Sequence, residues 1–208
     1  MKFFPISINS QGKKIKIIGA GKAALIKTKT LLRGDFLIDI VSKNFLDEFY
    51  KLRDENQDRL RLIKEEVNEN YDNFFCDFLI IATKDKNLNA YLRKKAKFLK
   101  IPTLDTADVL DSDFFLNKIC KKNDLVFSLS TGGKAPSLAK YLAEDFCKYI
   151  EKKDYEKIDL LIKLRSELKK RGDKNIKELM KKAIVLDKSQ IQRYIEGLHE
   201  DKNWNEIK

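Results

Sequence analysis

The chain alternates between short apolar runs of strand length and longer stretches whose apolar residues recur at helical spacing. From Lys14, the residues Ile15, Ile17 and Ile18 lead straight into Gly19-Ala20-Gly21. Ala23 to Leu32 then carries Ala24, Leu25, Leu31 and Leu32 at the spacing of a helix, which Gly34 ends. Phe36 to Val41 is a second run of strand length. Phe45 to Arg53 predicts a helix, Leu60 to Ile63 a short strand, and the acidic stretch Glu65 to Asp72 a surface loop. Phe78 to Ala82 has the composition of a fully buried strand. Leu88 to Leu99 follows as a helix with Leu92, Ala96 and Leu99 on one face, then Ile101 to Leu104 as a brief strand. Leu125 to Leu129 predicts one more strand, and Pro136 to Tyr149 an amphipathic helix.

Strands that alternate with helices of about ten to fifteen residues predict an α/β fold, a doubly wound parallel sheet covered on both faces. Room exists for about six such strands between Lys14 and Ser130. Beyond Tyr149 the strand-like runs stop. Ile158, Leu161, Ile162 and Leu168, then Ile176, Leu179, Met180, Ala183 and Ile184, mark two helices with Arg171-Gly172-Asp173 as the turn between them. The expected organisation is a sheet domain over residues 1–130 followed by a small helical domain over 131–208. Its last stretch, Ile184 to Lys208, is amphipathic, contains Trp204 and is expected to pack on a dimer of the chain.

With 208 residues, 43% of them hydrophobic, the chain can bury one full-sized core and a small appended unit. No run approaches the roughly 18 apolar residues of a membrane span, and Met1 to Ser10 lacks the pattern of a secretory signal. A soluble, cytoplasmic protein with no membrane partner is therefore expected. Cys76, Cys120 and Cys147 are odd in number, widely spaced and set in apolar stretches, which predicts free buried thiols. The single histidine, His199, and the absence of any CxxC leave no metal site to expect. The net charge of +11 suits a polyanionic small molecule, a nucleic acid or an anionic surface equally. Specific nucleic-acid binding is not expected, because no recognised motif is present and the basic residues of the tail are interleaved with Glu and Asp.

Gly19-Ala20-Gly21-Lys22-Ala23-Ala24 is a GxGxxA sequence that follows a strand and opens a helix, the context in which this pattern marks a Rossmann-like dinucleotide site. Gly19 allows the tight turn, Gly21 lets a diphosphate approach the backbone, and Ala24 permits close helix-to-strand packing. The amides of Gly21, Lys22 and Ala23 and the positive end of the helix dipole favour the phosphate charge. A carboxylate for the ribose hydroxyls is expected about twenty residues on, but the second strand ends in Val41-Ser42-Lys43. Either Ser42 and backbone groups hold the hydroxyls, or this position does not fix the preference between NAD and NADP; Lys43 would even favour a 2′-phosphate.

At these residues the chain resembles the precorrin-2 dehydrogenase family, which includes the N-terminal part of siroheme synthases. Phe4-Pro5-Ile6, ahead of Lys14 and the glycine turn, is similar to the family's short LP opening. Ile81-Ala82-Thr83-Lys84-Asp85 with Asn89 resembles its AATxDxxxN pattern after the fourth strand. Ser130-Thr131-Gly132-Gly133-Lys134-Ala135-Pro136 is similar to its STGGxxP segment, and Ile158 to Lys170 to the helix that begins its dimerisation region. The resemblance spans residues 4 to about 171.

What the resemblance implies is a homodimer that uses NAD to convert precorrin-2 into sirohydrochlorin in siroheme synthesis. Thr83, Asp85 and Asn89 would then join the glycine turn, Ser42 and Lys43 around the cofactor. Ser130 to Lys134, with two hydroxyls, two glycines and a cation at a helix start, would receive substrate carboxylates. The family's NxxDD segment falls on Leu104 to Asp108, where Ala107 stands in place of the first aspartate. Asp108 is the first candidate for the acid–base group and Asp105 the second. Some relatives also insert iron; here only Asp105 and Asp108 are at hand for that chelation. The methyltransferase region of fused siroheme synthases has no counterpart in the sequence. A different class of function also fits the motifs: a non-catalytic nucleotide sensor whose helical tail binds a partner.

Overall fold

A computed structural model describes residues 2–123 and 125–199 of the chain. The expected packing of the stretch containing Trp204 lies outside the described residues, as does the side chain of His199.

Five strands form one sheet: β1 (Lys14–Ile18), β2 (Leu37–Ser42), β3 (Leu60–Lys64), β4 (Phe78–Ile81) and β5 (Thr103–Asp105). All four pairings are parallel and the order is β3-β2-β1-β4-β5. The central strands are apolar on both sides because a parallel sheet is covered on both faces. Ile17, Ile40, Leu79, Ile80 and Ile81 are all fully buried. The helices α1 (Lys22–Leu31), α2 (Asp47–Glu55) and α3 (Lys86–Phe98) connect the strands. On one face Ile15, Ile17, Ile38 and Ile80 pack with Ala24, Leu25 and Phe49; on the other Ile18, Val41, Leu79 and Ile81 pack with Leu92 and Ala96. The expected α/β class and doubly wound parallel sheet are what the chain forms.

One crossover has no helix. Residues 65–77, between β3 and β4, run as a loop that buries Tyr71 and Phe74. At its end Asp77 pins the start of β1. The Lys14 amide donates to Asp77 Oδ2 at 2.8 Å, Lys13 Nζ donates to Oδ1 at 2.9 Å, and the Asp77 amide donates to the Lys14 carbonyl at 2.9 Å. These donors, the Lys14 amide first, hold the Asp77 carboxyl below its ordinary value of 3.8. A carboxyl lowered in the folded state stabilises the fold above its ordinary range, and that contribution is lost as pH falls through the lowered value. Asp77→Asn is therefore expected to reduce stability by about 1 kcal/mol at neutral pH, a figure kept small by solvent screening. Denaturant melts at pH 7 and near pH 2 check it, because the difference between variant and parent closes at the acid end.

Among the described residues after β5, the regular structure is helical apart from one ribbon. Helix α4 (Pro136–Glu151) precedes α5 (Tyr155–Arg171), α6 (Ile176–Ile184) and α7 (Lys188–His199). Asp154 caps α5 by accepting from the Lys157 amide at 3.1 Å. Gly172, at φ 78°, ends that helix: its amide donates to Lys169 and that of Asp173 to Leu168, the paired bonds of a Schellman cap. The turn expected at Arg171-Gly172-Asp173 is thus formed. Leu164 and Leu168 pack against Ala183, Ile191 and Ile195, so the amphipathic stretch after Ile184 supplies a helix to this core.

By its contacts the chain forms two compact units. Met1–Lys118 with Ser128–Tyr141 make the first, and Ile119–Phe127 with the chain from Leu142 onward make the second.

Two expectations are corrected. The run Leu125–Leu129 is a strand, β7, but it pairs with β6 (Lys118–Lys122) in a separate two-stranded sheet rather than extending the parallel one. A two-residue connection permits only a hairpin, and Asn123 at its turn adopts φ 47°, as such turns favour. Cys120 and Cys147 are not free thiols. They are joined as a disulfide with Cα atoms 5.6 Å apart, because β6 and α4 bring together residues 27 positions apart in sequence. Cys76 remains free, and burial pushes its thiol up to about 11.

Candidate functional site

In a sheet of this order the chain reverses direction between β1 and β4, and ligands bind outside the carboxyl ends of the strands at that point. The glycine turn lies there. Gly19 adopts φ 102°, and a Cβ added to it would sit 2.5 Å from the Ala82 carbonyl oxygen, so the segments leaving β1 and β4 touch backbone to backbone. Gly19 donates its amide to the Val41 carbonyl at 2.8 Å, and Ala82 donates to Ile18 at 2.8 Å. Gly21 differs: a Cβ there would meet nothing within 4 Å. It caps α1 with no side-chain hydrogen bond, and Gly21, Lys22 and Ala23 are all exposed. Buried Ala24 holds the helix against the sheet. Exposed helix-start amides facing open space, with no acidic residue in the first turn, fit the diphosphate of a dinucleotide.

The end of β2 carries Ser42 and Lys43. The Ser42 hydroxyl donates to the Asn44 carbonyl at 2.8 Å. Lys43 Nζ donates to both carboxylate oxygens of Glu66, each at 3.1 Å. Glu66 lies two residues beyond β3, whose Lys64 is the register partner of Ser42. A carboxylate therefore stands beside the end of β2 after all, brought by the neighbouring strand.

After β4, Thr83, Asp85 and Asn89 form one connected group. The Thr83 hydroxyl and the Asn89 side-chain carbonyl are hydrogen-bonded, and Asp85 caps α3 by accepting from the Asn87 and Leu88 amides at 2.9 and 3.0 Å. Asn89 is only 3% exposed, and its amide reaches Asp105 Oδ1 at 3.5 Å. It thus ties the end of β4 to the end of β5 from beneath.

Arg93, on the same helix, gathers three carboxylates. Its Nη1 lies 3.2 Å from Asp105, 3.3 Å from Asp108 and 3.7 Å from Asp111. Asp105 is 1% exposed and also accepts from the Ala107 amide at 2.9 Å. Asp108 is open to solvent and caps a short 3-10 turn by accepting from Asp111 at 3.3 Å. One of the two aspartates can meet a ligand; the other is a buried anchor.

The Ser130 to Lys134 loop comes to the same place. A Cβ on Gly133 would stand 3.0 Å from Val109, next to Asp108 in the chain. Gly132 and Gly133 adopt φ 64° and 78°. The Ser130 and Thr131 hydroxyls accept from the Gly132 and Ala135 amides at 2.9 and 3.1 Å, which shapes the approach to α4. Lys134 is exposed at its end.

Sequence reasoning named every one of these segments but missed Arg93 and Glu66. Neither sits in a motif; each is found only through the strand ends it bridges. A further cleft, of about 780 Å³, opens over mid-strand residues instead, beneath the loop that replaces a helix. Lys16, Asp39 and Arg61 line it as cross-strand partners, with Arg61 bidentate to Asp39 at 2.7 and 2.9 Å. It is not at the carboxyl ends of the strands, so it is distinct from the dinucleotide crevice.

Residues 6–117 match the model of a family described as "Putative NAD(P)-binding". The chain is 28% identical over 171 residues to a "Putative precorrin-2 dehydrogenase" of Methanocaldococcus jannaschii, covering 79% of this chain and 81% of that one. It is 28% identical to the precorrin-2 dehydrogenase of Bacillus subtilis, covering 77% and 97%. A siroheme synthase of Buchnera aphidicola is 29% identical over 69% of this chain, which spans only 30% of that longer protein. Among solved structures, SirC, a precorrin-2 dehydrogenase, has the same fold with a TM-score of 0.70 at 18% identity, over 95% of this chain and 100% of that one. Matched over more than half of its length, the chain belongs to the NAD(P)-binding family in which its relatives include precorrin-2 dehydrogenases and siroheme synthases.

Proposed function

We propose that the protein is an NAD-dependent dehydrogenase that converts precorrin-2 into sirohydrochlorin. The observation that carries this reading is the exposed, uncapped start of α1 at the point where the sheet reverses. The relatives named for this reaction support the choice of substrate, because two of them align over most of their own length.

The reaction removes two hydrogens from precorrin-2, one as hydride and one as a proton. When bound, the nicotinamide supplies the hydride acceptor. The chain's own residues do the rest. Exposed amides from Gly21 to Ala23 hold the diphosphate, with Lys22 adding positive charge at the helix start. Thr83 shapes the floor between β1 and β4, and Asp85 and Asn89 fix it from the start of α3. Asp108 accepts the departing proton, since its carboxylate is the accessible one of the pair. Arg93 and buried Asp105 act through it: the guanidinium sets the position of Asp108, and Asp105 anchors the guanidinium. Ser130 to Lys134 meets substrate carboxylates with flexible backbone and a cation.

A homodimer in the cytoplasm is the setting this reading implies. Phe146, Tyr149 and Ile162 expose 41%, 58% and 44% of their surface, apolar area available to a second copy. The deciding experiment is anaerobic turnover of precorrin-2 with NAD and with NADP, followed by absorbance of the product. Product formation with a nicotinamide cofactor is expected; tight nucleotide binding without any product would make the protein a sensor instead.

A further inference from the structure

We infer that Glu66 is the cofactor-binding carboxylate of this chain and that the Lys43–Glu66 pair sets its preference for NAD over NADP. The inference rests on the dinucleotide reading of the glycine turn and names the specificity of that same site.

In a fold of this type the adenosine ribose lies over the end of β2, where a carboxylate accepts hydrogen bonds from its hydroxyls. This chain has Ser42 and Lys43 there, and Lys43 taken alone predicts the opposite preference, for a 2′-phosphate. Parallel pairing changes that. β3 ends level with β2, Ser42 being the register partner of Lys64, and the Glu65 amide donates to the Ser42 carbonyl at 3.1 Å. The next residue, Glu66, reaches Lys43 with both oxygens at 3.1 Å. The ammonium is thereby neutralised by a partner within the site.

The consequence for the two cofactors is opposite in sign. The ribose diol of NAD offers hydroxyl donors, which a carboxylate accepts as charge-assisted hydrogen bonds. The 2′-phosphate of NADP brings up to two negative charges beside that carboxylate and finds Lys43 already engaged. With side-chain exposures of 63% and 67%, the pair adds little to stability, and the Glu66 carboxylate keeps lone pairs for a ligand's hydroxyls while it holds Lys43. Its position at the strand ends, and not its energy, is the feature that calls for a role.

Titration calorimetry with NAD and NADP on the purified full chain, without substrate, tests this. The parent is expected to bind NAD more tightly than NADP. Glu66→Gln, which keeps size and removes charge, is expected to weaken NAD and strengthen NADP so that the ratio of dissociation constants moves about tenfold or more toward NADP. Adding Lys43→Gln to that variant is expected to abolish the gain for NADP. An unchanged ratio in Glu66→Gln, with the parent still binding NAD, overturns the inference while the dehydrogenase reading stands. No heat from either nucleotide in the parent overturns both.

Discussion

Asp108→Asn is expected to slow precorrin-2 turnover by about a hundred- to ten-thousand-fold while leaving the melting temperature close to that of the parent. The range is that of a positioned general base. Asparagine is the informative substitution because its side-chain oxygen still accepts from the Asp111 amide, so the cap on the 3-10 turn survives. What it loses is the capacity to take a proton, together with the exposed charge that pairs with Arg93. Substitution of Asp105 is expected to differ by lowering the melting temperature as well. Its carboxylate is 1% exposed and faces Arg93 at 3.2 Å, so Asp105→Ala leaves a guanidinium without its buried partner. Breaking a buried pair destabilises by about 3–5 kcal/mol where the remaining charge is left unpaired; the loss here is at or below the lower end, because Arg93 is a quarter exposed and keeps Asp108 and Asp111. Parallel thermal melts and anaerobic single-turnover assays separate the two residues. Should turnover persist at the parental rate in Asp108→Asn, the proton acceptor is another group.

What the sequence made legible follows from how each signal is encoded. β1, β2 and β4 were readable because a strand buried on both faces must be apolar at nearly every position, and Ile15 to Ile18 or Phe78 to Ile81 satisfy nothing else so well. The glycine turn was readable because its function is a backbone conformation, which only residues 19 to 24 determine. β6 was not. Three of the five residues in Lys118–Lys122 are lysine, so the segment has no apolar periodicity, and its pairing with β7 is set by a two-residue turn. The same limit hid Arg93 and Glu66. Arg93 meets Asp105, Asp108 and Asp111 across 12 to 18 positions, and Glu66 meets Lys43 across 23. Such contacts exist only once strand order is known. The cysteines misled for a related reason: an odd count of widely spaced thiols gives no pairing, whereas a ribbon placed against a helix does.

Gly19 and Gly21 stand two positions apart and have different duties. Gly19→Ala is expected to lower both stability and nucleotide binding, whereas Gly21→Ala is expected to lower binding with little loss of stability. At Gly19 the backbone has φ 102°, a region that residues with a Cβ occupy at a cost of about 1–3 kcal/mol. The added methyl would also stand 2.5 Å from the Ala82 carbonyl oxygen and 2.8 Å from its carbon. Both are backbone atoms held by the neighbouring Ala82-to-Ile18 hydrogen bond, so relief requires the ends of β1 and β4 to part. Together the two effects destabilise by about 3 kcal/mol, a melting temperature lower by roughly 6–12 °C for a chain of this size. Gly21 has φ −88° and open space around the site of its Cβ. Alanine there loses under about 1 kcal/mol through poorer capping, yet its methyl projects where the diphosphate must approach. Thermal melts paired with NAD titration read both quantities for both variants. If Gly21→Ala binds NAD as the parent does, no phosphate lies against that turn, and the opening at the start of α1 serves some other purpose.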